Sequence, residues 1–311
     1  MIRQVVQRLL LLVPVLFVVL LVTFVILQFA AGDPAKIYWR THAGNMTPTP
    51  EQLEEIRQKL GLNDPQVVQF ARWVGSVLRL DLGRTLWTNQ LVLDELRARL
   101  PYTLALAGAA LALAVAISVP LGVVSAARPG SWIDALARAL AISGISIPQF
   151  WLGLLLIYGL SFKLKLFPMM GSGGPLHLAL PALTLAVGPA AMLTRLVRAN
   201  MLELMSYDFV RVAYAKGLAE PRVLLKHVLR PALIPVVTLI ALQMPIVFGG
   251  AIVTEQIFRV PGIGSLLISA MLANDTPVIM AVTFVFSCLV VLCNLIADIL
   301  YAWLDPRIAF R

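Results

Sequence analysis

Long apolar runs alternate with short charged stretches along this chain. Several runs extend for about 20 residues with almost no charge, the length that a helix needs to cross a bilayer core. Because lipid offers no hydrogen-bond partners, such a run must pair its backbone groups internally, as a helix does. The pattern therefore predicts an all-α polytopic membrane protein. We place six spans near residues 9–31, 100–126, 136–162, 176–196, 232–254 and 278–300.

The first run could also be a signal peptide, since it follows Arg3 and Arg8 and ends in small residues. It covers about 22 residues, however, which exceeds the 7–15 apolar residues of a signal sequence. We interpret residues 1–31 as an N-terminal tail and a first, uncleaved transmembrane helix.

A long polar stretch, residues 32–98, interrupts the apolar pattern. Within it, Thr49-Pro50-Glu51 favours a helix start and Gly61 is a typical helix stop. A second amphipathic segment covers residues 66–80. We therefore predict a small helical cap outside the membrane over residues 32–98.

Residues 260–277 are apolar but broken up by glycine, proline and polar residues. We expect this stretch to lie at the membrane surface or to dip into it, not to span. Residues 99–311 then form a five-helix core. This core contains a charged segment at about residues 199–231, named here the basic loop.

Hydrophobic residues make up 59% of the chain and charged residues only 13%, as a membrane protein requires. The net charge of +9 would suggest nucleic acid only if it clustered on a folded domain, but it lies between the apolar runs. With the N-terminus inside, thirteen Lys and Arg fall on the inner side and three on the short outer loops. Positive charge accumulates on the cytoplasmic side. Both termini and the basic loop are therefore predicted to be cytoplasmic, and the cap extracytoplasmic.

Residues that often carry metal or redox chemistry are scattered. Cys288 and Cys293 are five positions apart, which separates them by about 140° around a helix. The three histidines show no metal-ligand spacing, and the sequence contains no GxxxxGK[ST] phosphate loop. We expect no metal site, no cofactor and no catalytic activity in this chain.

The basic loop has features that suggest more than a connection. Gly217 permits a sharp turn at low steric cost, and Pro221 can open a helix, where its missing N–H does no harm. Five apolar residues can supply a surface on short helices: Val210, Ala213, Leu218, Val223 and Leu224. Such a helix–turn–helix could dock into a groove of a soluble partner. The alternative is that its charges only set the topology or contact anionic lipid.

Two motifs in the basic loop carry a family resemblance. RVAYAKGL (211–218) and KHVLRPALIP (226–235) resemble the coupling ("EAA") loop of ABC importer permeases, and more narrowly that of the dipeptide/oligopeptide/nickel class. The general motif begins with Glu where this chain has Arg211, and arginine is usual there in the peptide class. Pro231 stands where that class commonly has Asn, a departure that concerns the exit from the loop and not its docking.

The resemblance covers nearly the whole chain. Five further motifs match the same class in the same order: GDPA (32–35), KLGLNDP (59–65), LDLGRT (80–85), GGAIVTEQIFRVPGIG (249–264) and NLIADILYAWLDPR (294–307). The resemblance implies the type I ABC importer permease fold and a place in the bacterial cytoplasmic (inner) membrane.

The resemblance also implies partners. Two ABC ATPase subunits would bind ATP and Mg and receive the coupling loops. A second homologous permease would complete the pore. An extracytoplasmic solute-binding protein would deliver cargo to the cap and to residues 257–277. Lipid surrounds the spans, and no nucleic acid is expected. The residues implied in ATPase coupling are Arg211, Ala213, Lys216, Gly217, Leu218, Pro221, Arg222, His227 and Arg230.

The fifth predicted span supplies the candidates for a substrate pathway, which are Gln243, Met244, Gly249, Gly250 and Glu255. An ionisable residue inside a membrane is a functional candidate by default. Glu255 lies near the outer end of its span, however, and Asp298 near the inner end of the sixth, so pairing at helix ends is favoured for both. Glycines and buried amides also serve ordinary helix packing.

The main alternative is a secondary transporter or channel-like protein that is not coupled to ATPase subunits. It would usually show an internal repeat and broken helices near the midplane, and the sequence contains no clear repeat. A membrane enzyme is disfavoured, because the spans hold no nucleophile–base pair or acid pair. The outer loop at residues 163–177 is short, as in nickel- and glutathione-type members. We therefore predict a short peptide or a peptide-like metal (nickel) chelate as substrate.

Overall fold

The computed structural model describes residues 14–25, 34–43 and 47–304. Regular structure in these residues is helical, apart from one isolated antiparallel β-bridge between Arg84 and Leu91. The helices in chain order are α1 (Pro14–Val25), α2 (Pro34–Ala43), α3 (Pro50–Leu60), α4 (Gln66–Leu78), α5 (Val92–Ala127), α6 (Trp132–Ser146), α7 (Gln149–Leu156), α8 (Pro175–Met205), α9 (Asp208–Ala215), α10 (Glu220–Arg222), α11 (Leu229–Phe258), α12 (Ile263–Ala273) and α13 (Thr276–Leu304). Two π-helical segments, Ile157–Lys163 and Val223–Val228, follow α7 and precede α11.

Four of the predicted spans lie inside helices that are long and apolar enough to cross a membrane. These are α5, α8, the helical stretch Glu220–Phe258 that ends with α11, and α13. Helix α5 begins earlier than its predicted span, at Val92. Asp94 and Glu95 lie in its first turn, where carboxylates interact favourably with the helix dipole. Residues 92–98, predicted as the end of the cap, therefore belong to this helix.

The predicted third span, residues 136–162, is wrong as a single continuous helix. It is split into α6 and the stretch Gln149–Lys163, and the chain bends by 109° between these two helices. The cause is Pro148, which has no N–H and forces the residue before it out of helical geometry. Ile147 is accordingly extended, at φ −80° and ψ 124°. The chain turns sharply here, although its hydropathy continues without a break.

Helix α1 is the described part of the first predicted span. It is an apolar helix of 12 residues, and the rest of that span, residues 9–13 and 26–31, lies outside the described residues. The part of the chain that the structure describes therefore holds four long apolar helices and one bent pair.

The described residues divide into two compact units. The larger unit holds residues 104–260 and 292–304, and α8 is its central helix, packed against α6, α7 and α11. Half of the apolar stretch of α8 is buried inside the protein. Its interior prolines, Pro181 and Pro189, are themselves buried among neighbouring helices, where backbone groups freed by proline can be satisfied.

The second unit holds residues up to 103 together with residues 261–291. Its core joins the start of α5 to α12 and α13 through Val92, Leu96, Ile263 and Val282, among others. The Ile263 N–H donates to Thr103 Oγ1 at 2.9 Å, which fixes the start of α12. Helix α12 has 11 residues and is too short to span, as predicted for residues 260–277.

Polar contacts hold the loop between the β-bridge partners to the end of α12. The Leu86 N–H donates to the buried carboxylate of Asp275 at 3.0 Å, and Trp87 Nε1 donates to the Ala273 carbonyl at 3.1 Å. Burial raises the pKa of the Asp275 carboxyl above its usual range, because the charged form loses solvation.

The predicted start and end of α3 are confirmed. Thr49 and Gln52 form a reciprocal capping box, in which each side chain accepts from the other's backbone N–H. Gly61 ends the helix in the left-handed region, at φ 65°.

Gly122 allows α5 to approach α8 closely. A Cβ added at Gly122 would lie 2.7 Å from Val197 Cβ, and 3.1 Å from the Thr194 carbonyl oxygen. We expect Gly122→Ala to lower the free energy of unfolding by about 1–3 kcal/mol, because a neighbouring helix must shift. Thermal unfolding of the purified protein in detergent measures this effect.

Gly108→Ala on the same helix is the matched control, because nothing lies within 4 Å of its added Cβ. Alanine favours a helix over glycine, so the control should be neutral or slightly stabilised. Equal unfolding midpoints for both variants would contradict the close α5–α8 contact.

Candidate functional site

The basic loop begins in the last turns of α8 and ends in the first turn of α11, and between these it folds as two helical limbs joined by a tight turn. Its first limb is α9, which follows the end of α8 after Ser206 and Tyr207. Its second limb is α10, and the π-helical segment Val223–Val228 continues it into α11. The loop is thus continuous at both ends with helices long enough to span a membrane.

Hydrogen bonds of a Schellman motif fix the turn at Gly217. The Leu218 N–H bonds to the Ala213 carbonyl at 3.4 Å, and the Gly217 N–H bonds to the Tyr214 carbonyl at 2.9 Å. Gly217 has φ 75°, in the left-handed region that favours glycine. The turn therefore lies where the sequence predicts it, and its backbone is satisfied locally.

Pro221 occupies the first turn of α10, as predicted. Ala219 precedes the helix in an extended conformation, and its carbonyl accepts the N–H groups of Arg222 and Val223 at 2.9 and 3.1 Å. A proline at this position loses no helix hydrogen bond, because the first N–H groups of a helix have no partner within it.

Four of the five apolar residues predicted to form a surface face the protein interior instead. Val210, Ala213, Val223 and Leu224 are buried, and Leu218 is half-buried. The helices that carry the four buried residues pack against each other and against the end of α8. Ala213 is therefore an internal packing residue of the loop, whereas part of Leu218 stays exposed on it.

A different set of side chains covers the outside of the basic loop. The large apolar residues that are exposed there are Tyr207, Phe209, Val212, Tyr214 and Leu225. The Tyr207 and Phe209 rings meet edge to face, with centroids 6.2 Å apart. The sequence analysis missed these residues because polar residues separate them along the chain. The aromatic residues at 207, 209 and 214 were the signal that could have identified this surface.

Exposed cations accompany this outer surface. Arg211, Lys216, Arg222 and Arg230 are all exposed, and His227 is half-buried. Arg211 lies 3.4 Å from Asp208, but the two side chains are 77% and 92% exposed, so this pair contributes little to stability. The basic loop therefore presents a mixed aromatic and cationic surface.

One tyrosine on this surface has a perturbed acidity. The Tyr207 hydroxyl donates to Glu203 Oε1 at 3.2 Å. This hydrogen bond raises the pKa of Tyr207 above its ordinary value, because it favours the protonated phenol and the carboxylate repels a phenolate. Tyr207 is thus held as a neutral hydrogen-bond donor to Glu203.

The candidate pathway residues do not lie on one accessible surface of α11. Gln243 and Glu255 are buried, and Gln243 Nε2 lies 3.0 Å from Met192 Sδ. A Cβ at Gly250 would lie 2.7 Å from Gln149 Oε1, so that glycine packs tightly. Met244 is half-buried, and Gly249 is exposed with open space around it.

Gln149 is a polar residue of this region that the sequence analysis missed. It opens α7 directly after the bend, and its Nε2 donates to Thr254 Oγ1 at 2.7 Å and to the Gly250 carbonyl at 3.3 Å. An amide beside a proline within an apolar run was the signal that could have marked it.

Several helices of spanning length, joined by a folded charged loop, make this chain a multi-pass integral membrane protein. Residues 118–310 match the family described as "Binding-protein-dependent transport system inner membrane component", and residues 1–107 match its N-terminal family. The chain belongs to this family, and it is a permease subunit of an ABC importer of the inner membrane.

Relatives match over the full length. The oligopeptide transport system permease protein AppB of Bacillus subtilis (strain 168) is 42% identical, with 100% of both chains covered. The glutathione transport system permease protein GsiC of Escherichia coli (strain K12) is 38% identical, again over 100% of both. A putative peptide permease protein of Brucella suis is 40% identical, over 99% of both.

A solved structure shares the fold. An inward-facing conformation of the MetNI methionine ABC transporter contains a chain that superimposes with a TM-score of 0.58 at 20% identity. The superposition covers 68% of the present chain and 96% of the other. At this identity the likeness concerns the fold alone.

The turn at Gly217 can be tested directly. Gly217→Pro should unfold the tip of the basic loop, because proline cannot adopt φ 75° and loses the N–H that bonds to Tyr214. We expect the amide protons of residues 208–222 to exchange at least about tenfold faster, corresponding to about 1.4 kcal/mol of local stability.

Gly217→Asn is the control, because asparagine tolerates the left-handed region better than other side chains. It should keep most of the protection. Unchanged exchange in the proline variant would show that the turn does not hold the loop together.

Proposed function

We propose that this chain is one of two homologous permease subunits of a type I ABC importer that moves a short peptide across the membrane. It would cross the membrane six times with both termini in the cytoplasm. Residues 32–98, which include the first turns of α5, would form the extracytoplasmic cap and residues 99–311 the five-helix permease core. The folded basic loop with its outward aromatic and cationic side chains is the observation that carries this proposal.

The basic loop is suited to receive force from a soluble partner. The backbone groups of its turn are hydrogen-bonded and its two limbs are packed together. A force applied to the outer surface would therefore be transmitted to the ends of α8 and α11 with little local deformation. Exposed aromatic rings supply binding area, and the cations supply orientation. We assign the partner as an ABC ATPase subunit with a groove that is apolar at its centre and acidic at its rim.

ATP hydrolysis would take place on that partner. The chain has no GxxxxGK[ST] phosphate loop, and its family comprises membrane components of transport systems. Two ATPase subunits, with their bound ATP and Mg, would therefore supply the energy, one for each basic loop. This chain would be non-catalytic and without a cofactor of its own.

A second homologous permease would complete the pore, and a solute-binding protein would deliver the cargo. The family description itself refers to binding-protein-dependent transport, which supports the second partner. The cap and residues 257–277 are the surface that we assign to the binding protein. In the substrate pathway, Met244 and Gly249 remain the accessible candidates on α11.

The named relatives support a peptide as substrate. Two of them are permeases for oligopeptides and for glutathione, which is itself a short peptide. None of the relatives described above is named for nickel, so the metal chelate is the weaker part of the substrate prediction. The broken helix at Pro148 is a feature that a secondary transporter would share. Membership in the family argues for the ATP-driven importer instead.

The docking role of the basic loop predicts the effect of charge reversal. Lys216→Glu with Arg222→Glu should abolish co-purification with the ATPase subunits and lower ATP-driven uptake in vesicles by about tenfold or more. Both side chains are exposed, so membrane insertion should not change. Lys163→Glu with Lys165→Glu, in the predicted outer loop, is the matched control and should leave both readouts intact. Normal uptake in the first variant would refute the docking role.

The substrate can be identified through the partner solute-binding protein. Isothermal titration with di- to pentapeptides and with glutathione should give saturable binding, whereas sugars should not bind. A nickel–peptide chelate that binds while the free peptides do not would move the assignment to the metal complex. Binding of a sugar or lipid alone would contradict the peptide proposal.

A further inference from the structure

The first turn of α6 holds a fully buried carboxylate, that of Asp134. Arg198 of α8 binds it with both arms of its guanidinium: Nε lies 2.7 Å from Oδ1, and Nη2 lies 2.9 Å from Oδ2. This bidentate geometry fixes direction as well as distance between the two side chains. It joins α6 to α8 through a single ion pair.

The same carboxylate also holds the end of α5. Ser125 Oγ donates to Oδ1, and the Gly130 N–H donates to Oδ2 at 3.0 Å. Ser131 completes the arrangement, because its hydroxyl accepts the backbone N–H of Asp134. Asp134 is thus the common partner of α5, the turn after it, α6 and α8.

This cluster lies close to the two limbs of the basic loop along α8. Arg198 is seven residues before Met205, the last residue of α8, a distance of about 10 Å along a helix. A second bond secures the far side of the loop, since Asn200 Nδ2 donates to the Ala232 carbonyl in the first turn of α11 at 3.1 Å. Both ends of the basic loop therefore connect to the same segment of α8.

Stability alone gives a weak reason for such a pair. The buried Asp134 carboxylate and the half-buried Arg198 guanidinium both lose solvation, and a well-packed apolar pair of similar volume is often as stable as a buried ion pair or more stable. An apolar contact can slide, however, whereas a bidentate ion pair whose carboxylate accepts two further hydrogen bonds has one geometry. The ion pair fixes the orientation of the two helices relative to each other, whereas an apolar contact would only hold them together.

We propose that Asp134 and Arg198 are positioning residues for transport, which make the ends of α5, α6 and α8 next to the basic loop move as one rigid body. A displacement of the loop then moves three helices together, and is not lost as sliding between them. The inference rests on the proposed function, because it assumes that ATPase subunits displace the loop.

The test is the double variant Asp134→Leu/Arg198→Met, which replaces the ion pair by apolar side chains. The complete transporter, with its ATPases and binding protein, is reconstituted in liposomes, and peptide uptake and ATP hydrolysis are measured together. We expect normal assembly and thermal stability, but a fall in peptide molecules transported per ATP of about tenfold, within the usual range of coupling between sites.

Two further variants complete the test. Arg198→Lys keeps the charge but loses the bidentate fork, and it should show an intermediate ratio of uptake to hydrolysis with normal abundance. Arg138→Gln is the matched control, because Arg138 lies 3.6 Å from the same carboxylate but is half exposed, and its ratio should match the wild type.

The outcomes separate the inference from the proposed function. A wild-type ratio in the apolar double variant would overturn the positioning role, since cohesion alone would then suffice. If that variant fails to assemble, a wild-type ratio in Arg198→Lys overturns the role, and a lowered one supports it. Uptake by the wild-type complex that does not require ATP would instead refute the proposed function itself.

Discussion

A backbone N–H or C=O group inside hydrocarbon has no water to bond, and this constraint accounts for most of the structure. It requires the long apolar runs to be helical, as α5, α8, α11 and α13 are. It also limits where a helix can break. The bend at Pro148 lies beside Gln149, whose amide reaches across to Gly250 and Thr254. The turn of the basic loop needs no distant partner by contrast, because its own Schellman hydrogen bonds satisfy the backbone groups there.

The sequence predicts the helices better than the directions in which they run. Hydropathy over a window locates residues 100–126 and 278–300 within their helices, because burial in lipid depends on summed apolar surface. The same window passes over Pro148, because a proline among apolar residues hardly changes that sum. The pair Ile147-Pro148 carried the information, as conformational restriction and not as polarity. Local capping signals were reliable, since Thr49 and Gly61 act through their immediate neighbours only.

For the candidate site, the sequence indicates the turn but not which face is outside. Gly217 and Pro221 restrict their own backbone, so their effect does not depend on the rest of the chain. Which side of a short helix is buried depends on the surface that it packs against. Val210 and Val223 are covered by their own subunit, which leaves Phe209 and Val212 outside. A count of apolar residues cannot distinguish these two sets. Gln243 likewise shows that a polar residue in a span can serve helix packing.

The internal hydrogen bonds of the turn at Gly217 have a consequence for association kinetics. A loop that orders only on contact loses conformational entropy at that moment, and its encounters are slowed by the search for the bound shape. This loop already has a defined turn, buried limbs and aromatic rings held at the surface. A partner that docks as proposed would therefore meet the binding shape at the first encounter. The entropy of ordering the loop would be lost once, when the subunit folds, and not in each cycle of docking and release.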